Sequence, residues 1–319
     1  MVVCDLNVID LSEFASRKLD IARQLLNVGT EIEFFYICGH GIAQTDIDAA
    51  FELNKGLFAL PREYKETLAN DRANKGFILG YSAERMKAGI LREGYLSGFD
   101  NSRMQQIWPG RDHPAYKPGM VQFMLQCHEI RSRASGQNWL QTRACCNNHC
   151  PAVEGVHLPE RMLRSIAHTD FEILTLLFQQ VGQPGLEVCP GKMTTRATVK
   201  SQGTWIPMDP KPGCITCNIG DALQYLSDDC LKSTYHRVRT PRPHEYKGAR
   251  ASMAYFANVR NSTVLQGPLK KYPALTFNNI LAMKLQAPTN QIEQKVLEEY
   301  SPEDYLKYQD DLPVGPEYE

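Results

Sequence analysis

No run of about 18 apolar residues occurs in the 319-residue chain, so no stretch of it reads as a membrane-crossing helix. The opening MVVCDLNVIDL lacks a basic n-region and a long apolar stretch leading to a small-residue cleavage site, and a cytoplasmic location is the expectation. Charge of one sign is missing too, since 35 Lys plus Arg oppose 36 Asp plus Glu and leave a net charge of -1. Without a basic field, nucleic acid and membrane surfaces are disfavoured as partners, and a small molecule is expected instead. Oligomeric state is not legible at this level. Cysteine is sparse, ten in all and irregularly spaced, which excludes a disulfide scaffold and suits free thiols in a reducing compartment. Internal repeats and low-complexity segments are absent, which removes solenoids and linkers from consideration.

What remains is an ordinary globular composition, 43% hydrophobic and 22% charged, in a chain long enough to bury roughly three quarters of its unfolded surface. Two cysteine clusters can be weighed at once. Cys214 and Cys217 form a C-x-x-C inside GCITCNIGD, which reads as a strand, where odd spacing sends the two thiols to opposite faces. Cys145, Cys146, His149 and Cys150 crowd into six residues, whereas structural zinc normally takes two separated ligand pairs.

The front third reads as helices with one strand. Phe14, Ala15, Leu19, Ala22, Leu25 and Leu26 keep helical spacing behind Ser12 as N-cap, and IEFFYICGHGI follows as a strand. Thr45 with Asp48 is expected to cap a second helix, and Pro61 to start a third. From about residue 164 the pattern becomes eight short strands: SIAHTD, LTLLFQQ, GLEVCP, TWIPMDP, CITCNIG, ALQYLS, STYHRVRT and RASMAYFANV. Strands at this spacing suggest a β-sandwich or barrel. Helix returns in ALTFNNILAMKLQ and after the Ser301-Pro302-Glu303-Asp304 cap.

Chemistry gathers in the β unit. His168 and Asp170, two apart at a strand end, point to one face and can share a metal ion. His236 lies in a later strand and supplies a third ligand, so that two imidazoles and one carboxylate leave three positions open, the arrangement of non-haem Fe(II) oxygenases. Arg250 and Ser252 repeat the two-residue device, offering a guanidinium fork and a hydroxyl to a carboxylate.

With these residues in order, the chain resembles the Fe(II)- and 2-oxoglutarate-dependent dioxygenase superfamily, in its isopenicillin N synthase-like branch. The resemblance runs through NVIDLSEF, FFYICGHGI, HTDFEILTLLFQ, PGLEV, PGCITCNIGDALQYLSD, LKSTYHRV and RASMAYF, nearly the whole chain. It implies an α+β fold whose core is a distorted double-stranded β-helix, or jelly roll, flanked by N- and C-terminal helices. The matching divisions are an N-terminal module over 1–118, a shortened and divergent connection over 119–163, the jelly-roll core over 164–265 and a helical tail over 266–319. Resemblance further implies Fe(II) on His168, Asp170 and His236, 2-oxoglutarate on Arg250 and Ser252, O2 as oxidant, and ascorbate as an expected stimulant.

The implied activity is oxidation of a small organic molecule, such as a specialised metabolite, by hydroxylation, desaturation or cyclisation. A cosubstrate-independent iron oxidase and an impaired binding protein of the same fold are the alternatives. Three departures from the family pattern stand out: Glu33 and Glu172 where related sequences carry Gly, and Cys150 where the H-Y-P element carries Tyr. Substrate contacts are expected from Tyr95, Phe99, Phe256, Phe277 and Leu281, each of which reads more simply as core.

Overall fold

The computed structural model describes residues 8–31, 33–69, 79–86, 89–98, 104–135, 142–155, 162–190 and 204–285. In chain order its elements are β1 (Val8–Asp10), α1 (Phe14–Glu31), β2 (Phe34–Cys38), α2 (Gln44–Ala59), α3 (Arg62–Thr67), β3 (Gly80–Met86), β4 (Gly89–Gly98), α4 (Met104–Ile107), α5 (Tyr116–Ser135) and β5 (Thr142–Cys150). Then come β6 (Leu163–His168), β7 (Leu174–Gln179), β8 (Leu186–Cys189), β9 (Ile206–Pro207), β10 (Ile215–Ile219), α6 (Asp221–Leu226), β11 (Tyr235–Arg239), β12 (Arg250–Asn258), β13 (Val264–Leu265), β14 (Leu275–Thr276) and α7 (Phe277–Leu285).

The strands form a large sheet in the order β1-β2-β10-β7-β12-β5-β4-β3, a smaller one in the order β6-β11-β8-β9, and a short β13-β14 pair. Pairing is antiparallel throughout the two main sheets except for β1 on β2. Alternation sorts the side chains. Leu176 and Phe178 of β7, Ile215 and Cys217 of β10, and Met253 and Tyr255 of β12 bury under α1, α2 and α5 in the main core. Buried positions Ile47, Ala50, Phe51, Asn54, Leu57 and Phe58 put one face of α2 on that core. Each large apolar side chain so buried contributes about 1.5–3 kcal/mol. The opposite face of the large sheet looks onto the small sheet, and Phe34 and Tyr36 of β2 pack there against Leu186 and Val188 of β8. That closes one end of the space between the sheets.

Seven of the eight strand segments expected after residue 164 are strands. ALQYLS is instead α6, because Ala222 and Tyr225, three apart, are the positions that bury. In the front third, β3 and β4 add two strands where only helix and a single strand were expected, and they extend the large sheet. Stretch 119–163, read as a thinned connection, carries most of α5 and all of β5, which lies between β12 and β4. Neither cap residue acts as expected: α1 starts after a turn in which the Ser12 amide donates to Asp10, and α2 has Ala43 at its N-cap with no side-chain bond. Pro61 does begin α3, as its N-cap. The Ser301 cap and the helix after it lie outside the described residues. Among the described residues no helix is long and apolar enough to cross a membrane.

Cys217 belongs to the main core and Cys214 packs against the inter-sheet cluster, so the C-x-x-C is split across the sheet as its spacing dictates. Likewise, Cys145 sits in the main core, while Cys146 bonds Asn148 on the other face of β5, so the cluster is divided between the two faces of the strand. Glu33 takes a left-handed backbone (φ 61), the conformation a Gly would hold at lower cost. Its carboxylate accepts a hydrogen bond from Thr234 and its carbonyl accepts from the Ile219 amide, so the side chain is integrated into the turn. Glu172 is absent from the left-handed positions and needs no such accommodation.

Candidate active site

In the β6–β11 ladder, His236 is the direct register partner of His168, which places two imidazoles side by side at the end of the small sheet. Their ring centroids are 4.2 Å apart. Asp170 follows on the β6–β7 loop, and its Oδ1 lies 3.8 Å from His168 Nε2 and 3.6 Å from His236 Nε2. One ligand atom from each of the three falls within 4.8 Å of the others, the one such group among the described residues.

Hydrogen bonds aim each donor. His168 Nδ1 donates to the Ile166 carbonyl at 2.7 Å and His236 Nδ1 to the Thr234 carbonyl at 3.3 Å. A carbonyl can only accept, so the proton is assigned to Nδ1 and the Nε2 lone pairs face the centre. Burial and the neighbouring His236 push His168 below its ordinary range, which favours the neutral, ligating form. Asp170 Oδ2 accepts from Thr175 Oγ1 at 2.6 Å and Asn218 Nδ2 at 2.8 Å, leaving Oδ1 for the centre. Burial works to raise Asp170, but His236, His168 and these hydrogen bonds outweigh it and hold the carboxyl below its usual range.

The loop bearing Asp170 is clamped by the start of α6. Asp221 donates its amide to the Asp170 carbonyl at 2.9 Å and Ala222 donates to Phe171 at 3.2 Å. Gly220 permits that approach, because a Cβ there would stand 2.0 Å from the Glu172 carbonyl oxygen.

Across the space, Arg250 and Ser252 open β12 on its inward face. Arg250 is 4% exposed; its Nη2 donates to Gln179 Oε1 at 2.9 Å and its Nη1 to Ser252 Oγ at 3.4 Å, while Nε is buried without an acceptor. Burial pushes the guanidinium below its ordinary value, since a charge removed from water with no counter-charge is costly. An incoming carboxylate relieves that cost, and an orphaned buried guanidinium fits the distal acid of 2-oxoglutarate. Neutral Nε2 atoms and a carboxylate oxygen likewise fit a ferrous ion.

The pocket wall is completed by β5. Cys146 feels the charges of Asp170 and Arg92, and Asn148 stands on the same face, opposite Ser252. Arg92 of β4 donates to Ser165 on β6 at 3.4 Å and bridges the sheets near His168. Of the expected substrate contacts, Tyr95 is fully buried on the helix side, bonding the Ile107 carbonyl, and is core. Phe277 and Leu281 pack in a satellite cluster with Tyr225 and Val259. Phe256 is half-buried on the inward face, and Phe99 lies outside the described residues. Thr175 and Asn218 were not singled out by sequence, although polar residues at alternate positions of LTLLFQ and ITCNI mark the inward face.

Residues 141–259 match the 2OG-Fe(II) oxygenase superfamily, and residues 6–118 match the N-terminal region described as non-haem dioxygenase in morphine synthesis. A 2-oxoglutarate-Fe(II) type oxidoreductase, ppzD, of Metarhizium rileyi is 28% identical over 286 residues, covering 78% of each chain. Proline hydroxylase buaE of Petromyces alliaceus is 30% identical over 277 residues, 77% of this chain and 83% of that protein. A full-length Neurospora crassa protein, crystallised in complex with alpha-KG and 5-formyluracil, superposes with a TM-score of 0.73 at 25% identity, covering 88% of this chain and 95% of that one.

The fold and the family matches define a non-haem iron oxygenase of the isopenicillin N synthase-like branch, and the convergent His-Asp-His group has the chemistry to fit its iron. The chain belongs to the 2OG-Fe(II) oxygenase superfamily. It is an oxidoreductase that uses Fe(II), 2-oxoglutarate and O2 on a small organic molecule.

Proposed function

We propose that His168, Asp170 and His236 are the iron ligands, that Arg250 and Ser252 bind the distal carboxylate of 2-oxoglutarate, and that the substrate is a small specialised metabolite oxidised at a C–H bond in the cytoplasm. When bound, iron and 2-oxoglutarate would together activate O2, one oxygen atom leaving in succinate with loss of CO2 and the other serving to oxidise the substrate. The chain contributes everything else. Backbone carbonyls of Ile166 and Thr234 hold both imidazoles in the ligating tautomer, and Thr175 and Asn218 fix the carboxylate. Phe34, Tyr36, Leu186 and Val188 exclude water from the closed end.

The single observation that carries the reading is the meeting of the three ligand atoms within 4.8 Å, with a buried guanidinium lacking an anion in the same inter-sheet space. Within the proposed division of the chain at 118, 163 and 265, the connecting segment supplies β5 and thus part of the pocket wall. The relatives' names support a 2-oxoglutarate requirement over a cosubstrate-free oxidase. Purified protein given Fe(II), ascorbate and 2-oxoglutarate is expected to release succinate, and His168→Ala to abolish it. Absence of 2-oxoglutarate-dependent succinate across a broad small-molecule panel would contradict the reading.

A further inference from the structure

Arg250 has a second buried guanidinium for a neighbour. Arg164, on β6, is 2% exposed, and its Nε is also buried without an acceptor. Among the described residues its one hydrogen bond runs from Nη2 to the Pro151 carbonyl at 3.2 Å, which supplies no charge. Among the described residues neither arginine has a carboxylate within ion-pair distance.

Strand pairing brings the two together. Arg250 is the register partner of Cys150, and Arg164 bonds the next residue, Pro151, so the guanidiniums bracket one short piece of chain. The charge of Arg164 pushes Arg250 further down, and Cys150 is a shared neighbour of both. Two like charges held dry beside each other, each with a buried Nε that has no acceptor among the described residues, are favoured by an anion that joins them. β6 also carries His168 at its other end, about 13 Å of strand away at most.

We propose that Arg164 is a second carboxylate-binding residue of the cosubstrate pocket, gripping the distal acid of 2-oxoglutarate together with Arg250. This rests on the function proposed above. The consequence is specificity: a 2-oxo acid that lacks the distal carboxylate loses both forks at once, whereas its metal-facing end is untouched.

The test is calorimetric titration of Mn(II)-loaded protein with 2-oxoglutarate and, separately, with 2-oxobutanoate. R164M is expected to weaken 2-oxoglutarate binding roughly ten- to hundredfold, the loss typical of a hydrogen bond to a charged group, and R164K by less. Mn(II) affinity and 2-oxobutanoate binding are expected to match wild type. Unchanged 2-oxoglutarate affinity in R164M, or an equal loss for both acids, would overturn the assignment of Arg164 while leaving the proposed function standing. Wild-type protein that ignores 2-oxoglutarate would overturn both. Independently of how the variants fold, a crystal structure of the wild type with Mn(II) and 2-oxoglutarate decides the matter. The distal carboxylate on both guanidiniums supports the proposal, and on Arg250 alone refutes it.

Discussion

Removing the two hydrogen bonds behind Asp170 tests how far the proposed metal centre depends on residues that would not touch the metal. Oδ2 of Asp170 accepts from Thr175 at 2.6 Å and from Asn218 at 2.8 Å, while Oδ1 faces both imidazoles. Thr175→Val keeps the side-chain shape and deletes the hydroxyl; Asn218→Leu keeps approximate volume and deletes the amide. A hydrogen bond to a charged group is worth about 1.5–3 kcal/mol, and partners that orient a ligand typically govern about ten- to a hundredfold in metal affinity. Each single variant is therefore expected to weaken Fe(II) binding by roughly tenfold or more. Sharing one acceptor oxygen makes the pair non-additive, so the double variant is expected to lose less Fe(II) affinity than the product of the two single losses. The assay is anaerobic Fe(II) titration followed by intrinsic fluorescence, with thermal unfolding as the control for folding. A folded double variant that binds Fe(II) within about twofold of wild type would refute the orienting role assigned to these residues.

Three further outcomes follow from the same geometry. Arg250→Met should weaken 2-oxoglutarate binding by about 2–5 kcal/mol, the cost of truncating one partner of a buried charge pair, while Fe(II) affinity stays near wild type in the same titration. Gly220→Ala forces a Cβ to 2.0 Å from the Glu172 carbonyl, and should cost about 1–3 kcal/mol of stability in denaturant unfolding, with weaker Fe(II) binding as the Asp170 loop shifts. Glu93, buried on β4, would be raised by desolvation alone, but hydrogen bonds from His149, Lys65 and Tyr81 hold its carboxyl at about 2 against an ordinary 4.5. A depressed carboxyl contributes stability above its unfolded pKa that is lost as pH falls, so urea midpoints should drop between pH 4.5 and about 2, and Glu93→Gln should flatten that slope.

Much of the site was legible because period-2 spacing is a strong constraint. Arg250 with Ser252 had to share a face once they lay on one strand, and they do, whereas Asp170 lies on the loop past β6 and is held beside His168 by Thr175 and Asn218. Which strands paired was not legible: the His168–His236 register depends on β6 and β11 meeting across a long intervening stretch of chain, which no local pattern encodes. α6 was misread because ALQYLS offers apolar residues compatible with either period, and the choice is made by Gly220 and by the amides of Asp221 and Ala222, which bond the Asp170 loop. β3 and β4 were missed because SAERM and LREGYLSG are polar at many positions, as befits strands near a sheet edge. β5 was obscured by its Cys, Asn and His content, which makes sense only after alternation is applied. Cys145 and Asn147 serve the helix side, while Cys146 and Asn148 serve the pocket. Arg164 drew no notice in the sequence, since nothing local distinguishes a buried arginine from a surface one.

The central claim is that one ferrous ion on His168, Asp170 and His236 stands beside a cosubstrate held by Arg250. Anaerobic Fe(II)-loaded protein titrated with 2-oxoglutarate and followed by visible absorption addresses both halves together. A charge-transfer band that saturates at one equivalent of cosubstrate per chain, and is absent from His168→Ala and His236→Ala protein, is the predicted result. No band in wild-type protein, or an unchanged band in either histidine variant, would contradict the account.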